Sequence, residues 1–205
     1  MINFPFSKEC ETIVANALRD HKVFVYPTET FYGLGGNAFS KSAVERVYEI
    51  KGRSRPKSFL LLIHLDWLDQ ICCWSDSRIN DLIDSFWTGP LTLILEANKR
   101  LPKHLQNVNG TVAIRYSSSP VVQRLIELGN CPIIGTSANL SGMPECLSLE
   151  AVKYQLKNQV DYLIDGGNLS QNQPSTIVNC KKENFRVIRQ GAITLSNLNR
   201  ICKVF

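Results

Sequence analysis

The chain has 205 residues, of which 44% are hydrophobic and 20% are charged. These values are ordinary for a globular protein, and the length predicts one domain, residues 1–205, with a sizeable core. No apolar run approaches the roughly 20 residues that a membrane-spanning helix needs. Residues 1–7 also lack the basic and then apolar pattern of a secretory signal. We therefore expect no membrane association.

The seven cysteines are scattered along the chain, their number is odd, and no two of them form a C-x-x-C pair. This pattern argues against a disulfide framework and against a zinc site. We expect reduced thiols, no metal site built by the protein, and a cytoplasmic location.

Apolar runs alternate with amphipathic segments along the chain, which indicates a mixed α/β fold. Helical spacing predicts, in chain order, helices at residues 7–20, from 42 onward, and at 76–87, 120–128, 148–157 and 194–201. Apolar runs predict strands at residues 23–26, 59–63, 91–95, 111–115, 132–135, 162–164, 176–178 and 185–188. The alternation is not regular enough to require an all-parallel sheet.

Three local signals refine these elements. Ser42 and Glu45 have the spacing of a capping box, so Ser42 is expected to begin the second helix. Gly129 is expected to end the helix at 120–128. The continuous apolar run at 59–63 is typical of a strand that is buried on both faces.

The formal net charge of +5 favours anionic partners only modestly. Basic residues do cluster within about a dozen positions, and they are Arg46, Lys51, Arg53, Arg55 and Lys57. Cations at a solvated helix end would interact favourably with the helix dipole. Convergence on a phosphate group is the other explanation, and the residues alone leave both open.

The stretch YPTETFYGLGG at residues 26–36 follows the first predicted strand. Its glycines let the backbone approach a ligand closely, while Thr28, Glu29 and Thr30 supply polar partners. We interpret it as a binding loop, because connections carry function more often than scaffold elements do. A purely structural strand-to-helix connection is the alternative.

A second polar stretch, GTSANLSGMP at residues 135–144, follows the apolar run at 132–134. Its small polar side chains, Ser137, Asn139 and Ser141 among them, lie beside a predicted strand end. Gly142 and Pro144 are turn residues. This stretch is the second predicted binding element.

Taken together, these two stretches are similar to the YrdC/TsaC family, the threonylcarbamoyl-AMP synthases. Further matches follow in family order at residues 51–53, 57, 64, 86–92, 112–115, 165–167, 174–178 and 187–191. The resemblance covers nearly the whole chain and implies a large twisted mixed β-sheet, flanked by helices, with a concave basic groove. The chain resembles the short, single-domain form of the family.

The resemblance implies a nucleotidyltransferase that converts L-threonine, bicarbonate and ATP into threonylcarbamoyl-AMP and pyrophosphate. ATP would be a substrate, accompanied by Mg²⁺, and the product would serve the threonylcarbamoyladenosine modification of tRNA together with partner proteins. The chain contains no G-x-x-x-x-G-K-[ST] and no G-x-G-x-x-G motif. Separate basic and hydroxyl groups would therefore have to hold the phosphates.

The resemblance also implies roles for particular residues. Lys51 and Arg53 are assigned to the ATP phosphates and to catalysis. The other residues assigned to ATP are Lys57, Ser137, Asn139, Ser141 and Arg189. Those assigned to threonine or its carbamate are Thr30, His64, Arg115 and Ser175. Glu29 is left open, because it could orient Lys51 or Arg53, contact Mg²⁺ through water, or only brace its loop. The segment at 86–92 is interpreted as structural.

Two other functions compete with the synthase. A basic groove would also suit an RNA-binding module acting in rRNA or ribosome maturation, although the chain lacks an aromatic-rich RNA platform. A carbamoyl-transfer accessory domain, like those inside larger hydrogenase-maturation proteins, is the third.

Overall fold

The computed structural model describes residues 1–52, 58–170, 173–181 and 183–205. Arg53 and Lys57, both predicted to meet phosphates, lie outside the described residues. The helices are α1 Lys8–Arg19, α2 Lys41–Ile50, α3 Leu68–Ile71, α4 Arg78–Phe86, α5 Pro120–Gly129, α6 Leu149–Leu156 and α7 Leu195–Asn199. Short 3-10 turns occupy Leu65–Trp67 and Lys103–Leu105. None of the helices in the described ranges is long and apolar enough to cross a membrane.

The strands form one mixed sheet, as the sequence predicted. They are β1 Ile2–Asn3, β2 Phe24–Pro27, β3 Tyr32–Gly35, β4 Leu60–Leu62, β5 Cys72–Cys73, β6 Leu91–Ala97, β7 Thr111–Arg115, β8 Ile133–Ser137, β9 Tyr162–Asp165, β10 Thr176–Asn179 and β11 Arg186–Arg189. Across the described part of the sheet the order is β1-β9-β2-β3-β8-β4-β7-β6-β10-β11, with β5 paired to β6. Pairs β1–β9, β2–β9, β4–β7 and β6–β10 are parallel, and the remaining pairs are antiparallel.

The two faces of the sheet are buried differently. One face packs against an apolar cluster that takes residues from α2, α4, α6 and α7. The other face packs against a smaller cluster that takes residues from α1 and α5. Because Leu62 belongs to this smaller cluster and also lines a cavity, the cavity occupies the part of the second face that α1 and α5 leave uncovered.

Strand β4 is shorter than the predicted run at 59–63, but it is buried on both faces as predicted, because Leu61 and Leu62 are both fully buried. Leu61 and Ile63 are fully buried in the larger cluster, as expected of the apolar run. Leu60 is half-buried, however, and both Leu60 and Leu62 face the cavity. On that face its apolar side chains line the cavity, which a hydrophobic run alone does not reveal.

Two predicted helix boundaries were wrong by one or two residues. Ser40, not Ser42, caps α2: its hydroxyl accepts a hydrogen bond from the Ala43 backbone N–H at 3.2 Å. Helix α5 includes Gly129, and Asn130 ends it in a left-handed conformation with φ of 42°. Asparagine tolerates that conformation because its short polar side chain bonds locally.

The stretch predicted to be a binding loop contains a strand, β3, which pairs with β2 and β8. Its glycines are required by close packing. A Cβ on Gly35 would lie 1.9 Å from the Ile134 carbonyl oxygen, and one on Gly33 would lie 2.6 Å from the Tyr26 ring. Only residues 28–31 connect β2 to β3, so the loop is shorter than the predicted binding loop at 26–36.

Candidate active site

The uncovered part of the sheet is the floor of a cavity of about 710 Å³. Alternate residues of neighbouring strands face it, as the two-residue period of a strand requires. These floor residues are Leu60, Leu62, Thr92, Ile94, Thr111, Ala113, Arg115, Gly135, Ser137, Ile177 and Asn179. The floor is apolar at its centre, and polar groups stand at the strand ends, which is the composition expected of a ligand pocket.

The turn between β2 and β3 forms one wall, and the Thr28 hydroxyl holds its shape. This oxygen accepts from the backbone N–H groups of Thr30 and Phe31 at 3.1 and 3.2 Å. It lies 2.7 Å from the Phe31 carbonyl oxygen, to which it donates. A side chain that satisfies its own turn in this way fixes the backbone. The turn thereby holds Thr30 in the cavity lining. The Thr30 hydroxyl lies 3.0 Å from the Thr28 hydroxyl.

Arg115, at the end of β7, is a buried cation in the cavity wall, with 5% of its surface exposed. Its Nε lies 3.5 Å from Glu29 Oε1, within ion-pair range but longer than a good hydrogen bond. The Ser117 hydroxyl donates to Glu29 Oε2, and the Ser119 N–H donates to that hydroxyl at 3.2 Å. The contact of Glu29 with Arg115 is none of the roles left open for Glu29, and those roles stay predictions.

Tyr26 lies in the electric field of this pair. Burial raises the pKa of its phenol, the positive charge of Arg115 opposes that rise, and the negative charge of Glu29 adds to it. The phenol donates to the Ile134 carbonyl oxygen at 2.5 Å. Tyr26 therefore acts as a neutral donor that ties β2 to β8 beneath the cavity.

Ser175 and Arg189 form a second polar group on the opposite wall. The Arg189 Nε and Nη2 donate to the Ser175 carbonyl oxygen at 3.1 and 2.9 Å, and Nη2 also donates to the Ser175 hydroxyl at 3.0 Å. Desolvation lowers the pKa of Arg189, the nearby charge of Arg115 lowers it further, and Glu145 opposes the shift. Two arginines thus share one cavity, an arrangement that favours an anionic ligand.

Lys51 and the stretch after β8 form a third group. The Lys51 ammonium donates to the carbonyl oxygens of Ser137 and Asn139 at 2.6 and 2.9 Å, and to Asn139 Oδ1 at 3.0 Å. The Ser137 hydroxyl donates to the same Oδ1 at 2.6 Å. Lys51 is 5% exposed. Its ammonium binds the polypeptide that carries Ser137 to the cavity.

The structure brings five of the predicted site residues into the cavity lining: Thr30, Arg115, Ser137, Ser175 and Arg189. Within the described residues, Lys51, His64, Asn139 and Ser141 do not line it. Lys51 and Asn139 lie directly behind Ser137. The Ser141 N–H donates to the Lys51 carbonyl oxygen at 3.3 Å. The roles of all the predicted site residues, including the five that line the cavity, stay predictions.

His64 lies at the exit of β4, as predicted, but its contacts are local. Its Nδ1 accepts from the Asp66 N–H at 3.4 Å and lies 2.9 Å from the Asp66 carboxylate. Its ring meets that of Tyr116 edge-on, with centroids 5.1 Å apart. These contacts are those of a helix cap, the ordinary role of a polar side chain at such a position.

Thr92 is one of the cavity residues that sequence reasoning missed. It is 1% exposed, and its hydroxyl lies 2.9 Å from that of Ser175. The signal was present, because Thr92 closes the matched segment at 86–92, but that segment was interpreted as structural. A hydroxyl at an inward position of a strand whose neighbours are leucines is the feature that could have identified it.

The basic character of the groove stays a prediction. The described lining carries Arg115 and Arg189 together with Glu145, and the densest basic segment lies outside the described residues. The described ranges contain no group of three or more His, Cys, Asp or Glu side chains able to hold a metal ion.

Comparison with known proteins shows which family this chain belongs to. The family model for Sua5, YciO and YrdC, described as "Telomere recombination", matches residues 16–191. A threonylcarbamoyl-AMP synthase of Pyrococcus abyssi is 33% identical over 192 residues, which span 92% of this chain and 56% of that protein. A threonylcarbamoyl-AMP synthase of Pseudoalteromonas translucida is 37% identical over 168 residues, spanning 78% of this chain and 87% of that protein.

The fold agrees with this comparison. The crystal structure of P. abyssi Sua5 in complex with L-threonine superposes with a TM-score of 0.91 at 28% identity, covering all of this chain and 61% of that one. The chain spans about half the length of the first curated relatives that it matches, at 56% and 55%.

Proposed function

Because the chain belongs to the Sua5/YciO/YrdC family, we propose that it is a threonylcarbamoyl-AMP synthase. The reaction joins L-threonine, bicarbonate and ATP into threonylcarbamoyl-AMP and releases pyrophosphate. The observation that carries the proposal is the convergence of Thr30, Arg115, Ser137, Ser175 and Arg189 on one cavity. Those positions come from five separate segments of the chain, and a scaffold needs no such convergence.

At the threonine end, Arg115 would pair with the amino-acid carboxylate. A guanidinium can offer two parallel donors to a carboxylate, which fixes the orientation of the ligand as well as its position. Thr30 and Ser175 would bond the remaining polar groups of threonine or its carbamate. His64 would join them if its imidazole exchanged the contact with Asp66 for one with substrate.

At the nucleotide end, Ser137 and Arg189 would face ATP, with Asn139 and Ser141 on the same stretch. Lys51, Arg53 and Lys57 would supply positive charge to the phosphates. For Lys51 this requires the ammonium to exchange one of its three oxygen contacts. Mg²⁺ would accompany ATP as part of the substrate.

The chemistry asks for positioning more than for a nucleophilic side chain. The carbamate of threonine would attack the α-phosphorus, and pyrophosphate would leave. Holding the two reactants in line and stabilising charge on the phosphoryl oxygens is the main contribution of a protein to such a displacement. Arginines already fixed by hydrogen bonds, like Arg189, do this without reorganising during the reaction.

We further propose a single domain that acts in the cytoplasm and supplies its product for the modification of tRNA, with partner proteins performing the transfer. An RNA-binding role makes a different prediction. RNA affinity falls steeply with salt as counterions are released, whereas a closed small-molecule pocket responds much less.

The experiment that tests the proposal is pyrophosphate release from ATP and Mg²⁺ by the purified protein, with threonine and bicarbonate each omitted in turn. The proposal requires release that depends on both. Release without threonine, or none from the folded protein, would contradict it. Measuring RNA binding at two salt concentrations in the same preparation would then test the RNA-binding alternative.

A further inference from the structure

The segment FWTGPLT at residues 86–92 has no part in the chemistry described so far. It fixes the start of β6 against β10: the Thr176 N–H donates to the Pro90 carbonyl oxygen at 2.9 Å. The Trp87 indole N–H donates to the Leu91 carbonyl oxygen at 2.8 Å. In the resulting register Thr92 lies opposite Ile177. The segment thereby places the Thr92 side chain beside Ser175, in the cavity.

The two hydroxyl groups are in hydrogen-bond contact, with 2.9 Å between Thr92 Oγ1 and Ser175 Oγ, and either oxygen could be the donor. Both residues are buried, at 1% and 3% exposure. Ser175 Oγ also accepts from Arg189 Nη2 at 3.0 Å. The adjacent Thr176 hydroxyl does not compete for this site, because it donates to the Ile193 carbonyl oxygen at 2.6 Å.

In either direction of the Thr92–Ser175 bond, one hydroxyl proton remains for a ligand in the cavity. A hydroxyl has one proton and two acceptor lone pairs. If Thr92 donates, Ser175 accepts from both Thr92 and Arg189, and its own proton remains for a ligand. If Ser175 donates instead, the Thr92 proton is the one that remains for a ligand, since both residues line the cavity. The first arrangement is the one that fits the role proposed for Ser175 at the threonine end.

We propose that Thr92 is a positioning residue that turns the Ser175 proton toward the substrate. It acts through Ser175, which becomes a fixed donor to an oxygen of threonine or of its carbamate. This inference rests on the proposed function and deepens it, since it names what orients a group at the threonine end. Preorganised donors of this kind lower the cost of ordering the site when the ligand binds.

The test compares Thr92→Val, which keeps the shape and removes the hydroxyl, with Thr92→Ser, which keeps the hydroxyl. L-Threonine binding is measured by calorimetry, and the KM values for threonine and ATP are measured by pyrophosphate release. Thr92→Val should weaken threonine binding by about fivefold, the size of one neutral hydrogen bond, and leave the KM for ATP unchanged. Thr92→Ser should stay close to the wild type.

A double-mutant cycle with Ser175→Ala separates positioning from packing. Once Ser175 has lost its hydroxyl, Thr92→Val should cause no further loss of threonine affinity. Thermal melting checks that each variant folds, and Thr92→Ala replaces Thr92→Val in the cycle if the valine variant melts below the assay temperature.

Three results would overturn the inference: unchanged threonine affinity in Thr92→Val, an equal loss in Thr92→Ser, or an undiminished effect of Thr92→Val on the Ser175→Ala background. Each of these results can occur while the wild-type enzyme is fully active, so each would overturn the role of Thr92 without affecting the proposed function. A wild-type protein that neither binds threonine nor releases pyrophosphate overturns the proposed function, and the role of Thr92 with it.

Discussion

The ammonium of Lys51 lies 3.0 Å from the side-chain oxygen of Asn139, and it also donates to two carbonyl oxygens of the same stretch. Helix α2 is thereby joined at its C-terminal end to the segment that follows β8. This contact links two motifs that are 86 residues apart in the chain at Lys51 and Ser137. A lysine in this position has a structural effect whether or not it also meets a phosphate.

We expect Lys51→Met to reduce both stability and turnover. The methionine keeps most of the buried aliphatic stem but removes the ammonium from the carbonyl oxygens of Ser137 and Asn139, at a cost of about 1–3 kcal/mol. Asn139 Oδ1 keeps its bond from the Ser137 hydroxyl. Urea unfolding measures the stability, and pyrophosphate release measures the turnover. Lys41→Met is the matched control, because Lys41 is exposed at the other end of the same helix. A Lys51→Met protein as stable as the wild type would show that the contacts contribute nothing.

Glu29→Gln should destabilise the protein even without substrate. The change leaves Arg115, which is 5% exposed, without the carboxylate of its ion pair. Breaking a buried pair by removing one partner typically costs about 3 kcal/mol. Urea unfolding again provides the measurement.

The control for this change is Glu127→Gln. Glu127 pairs with Arg124 at the surface, with 60% of its side chain exposed, and exposed pairs contribute less than about 1 kcal/mol. Equal effects of the two substitutions would mean that the Glu29–Arg115 pair is no stronger than a surface pair.

Arg189→Lys should impair activity while keeping the positive charge. Lysine cannot reproduce the planar grip of two guanidinium nitrogens on Ser175. We expect kcat/KM to fall by about tenfold, the size commonly associated with one charge-assisted bond. Arg186→Lys, on the same strand but outside the cavity lining, should stay near the wild-type value. A normal Arg189→Lys enzyme would show that charge alone suffices.

Alkaline pH should destabilise the fold through its buried thiols. Burial raises the pKa of Cys131 to about 12 from an ordinary value of 9.0. The folded protein therefore keeps a proton that the unfolded chain loses above pH 9. The contribution of the Cys131 thiol to the free energy of unfolding is complete below pH 9. It falls as pH rises toward 12, by at most about 1.4 kcal/mol per pH unit.

The Cys131→Ala variant should show a shallower loss of unfolding free energy between pH 9 and 11 than the wild type does. Urea unfolding at several pH values gives the slope. Cys73→Ala is the control, because Cys73 is exposed. Parallel slopes for the wild type and Cys131→Ala would exclude this thiol as a source of the alkaline loss.

Local patterns predicted most elements because each depends on neighbours in sequence. Helix α6 begins after Ser148, as its spacing indicated, and β7 has the predicted bounds at 111–115. Strand β3 was missed because its glycines suggest a loop. Those glycines are needed because Gly35 meets the backbone of β8, which lies about 100 residues further along the chain. No local pattern contains that contact.

In the candidate site, too, the sequence identified individual residues but not the contacts between distant segments. Thr30, Arg115, Ser137, Ser175 and Arg189 were identifiable from their motifs, and all five line the cavity. The motif at 26–30 did not reveal that Glu29 faces Arg115, nor did the motif at 86–92 reveal that Thr92 meets Ser175. Both contacts join side chains from distant segments.

By itself, the sequence determined the α/β class, most helix and strand positions, and the polar residues that mark the site, because side-chain type and spacing act over a few residues. The tertiary structure alone decided which of these groups share a cavity. It also decided that Lys51 binds the polypeptide behind Ser137 and that Thr92 bonds Ser175. The physical reason is that hydrogen bonds and ion pairs act over about 3–4 Å in space, and only strand order and register bring residues from distant segments within that range.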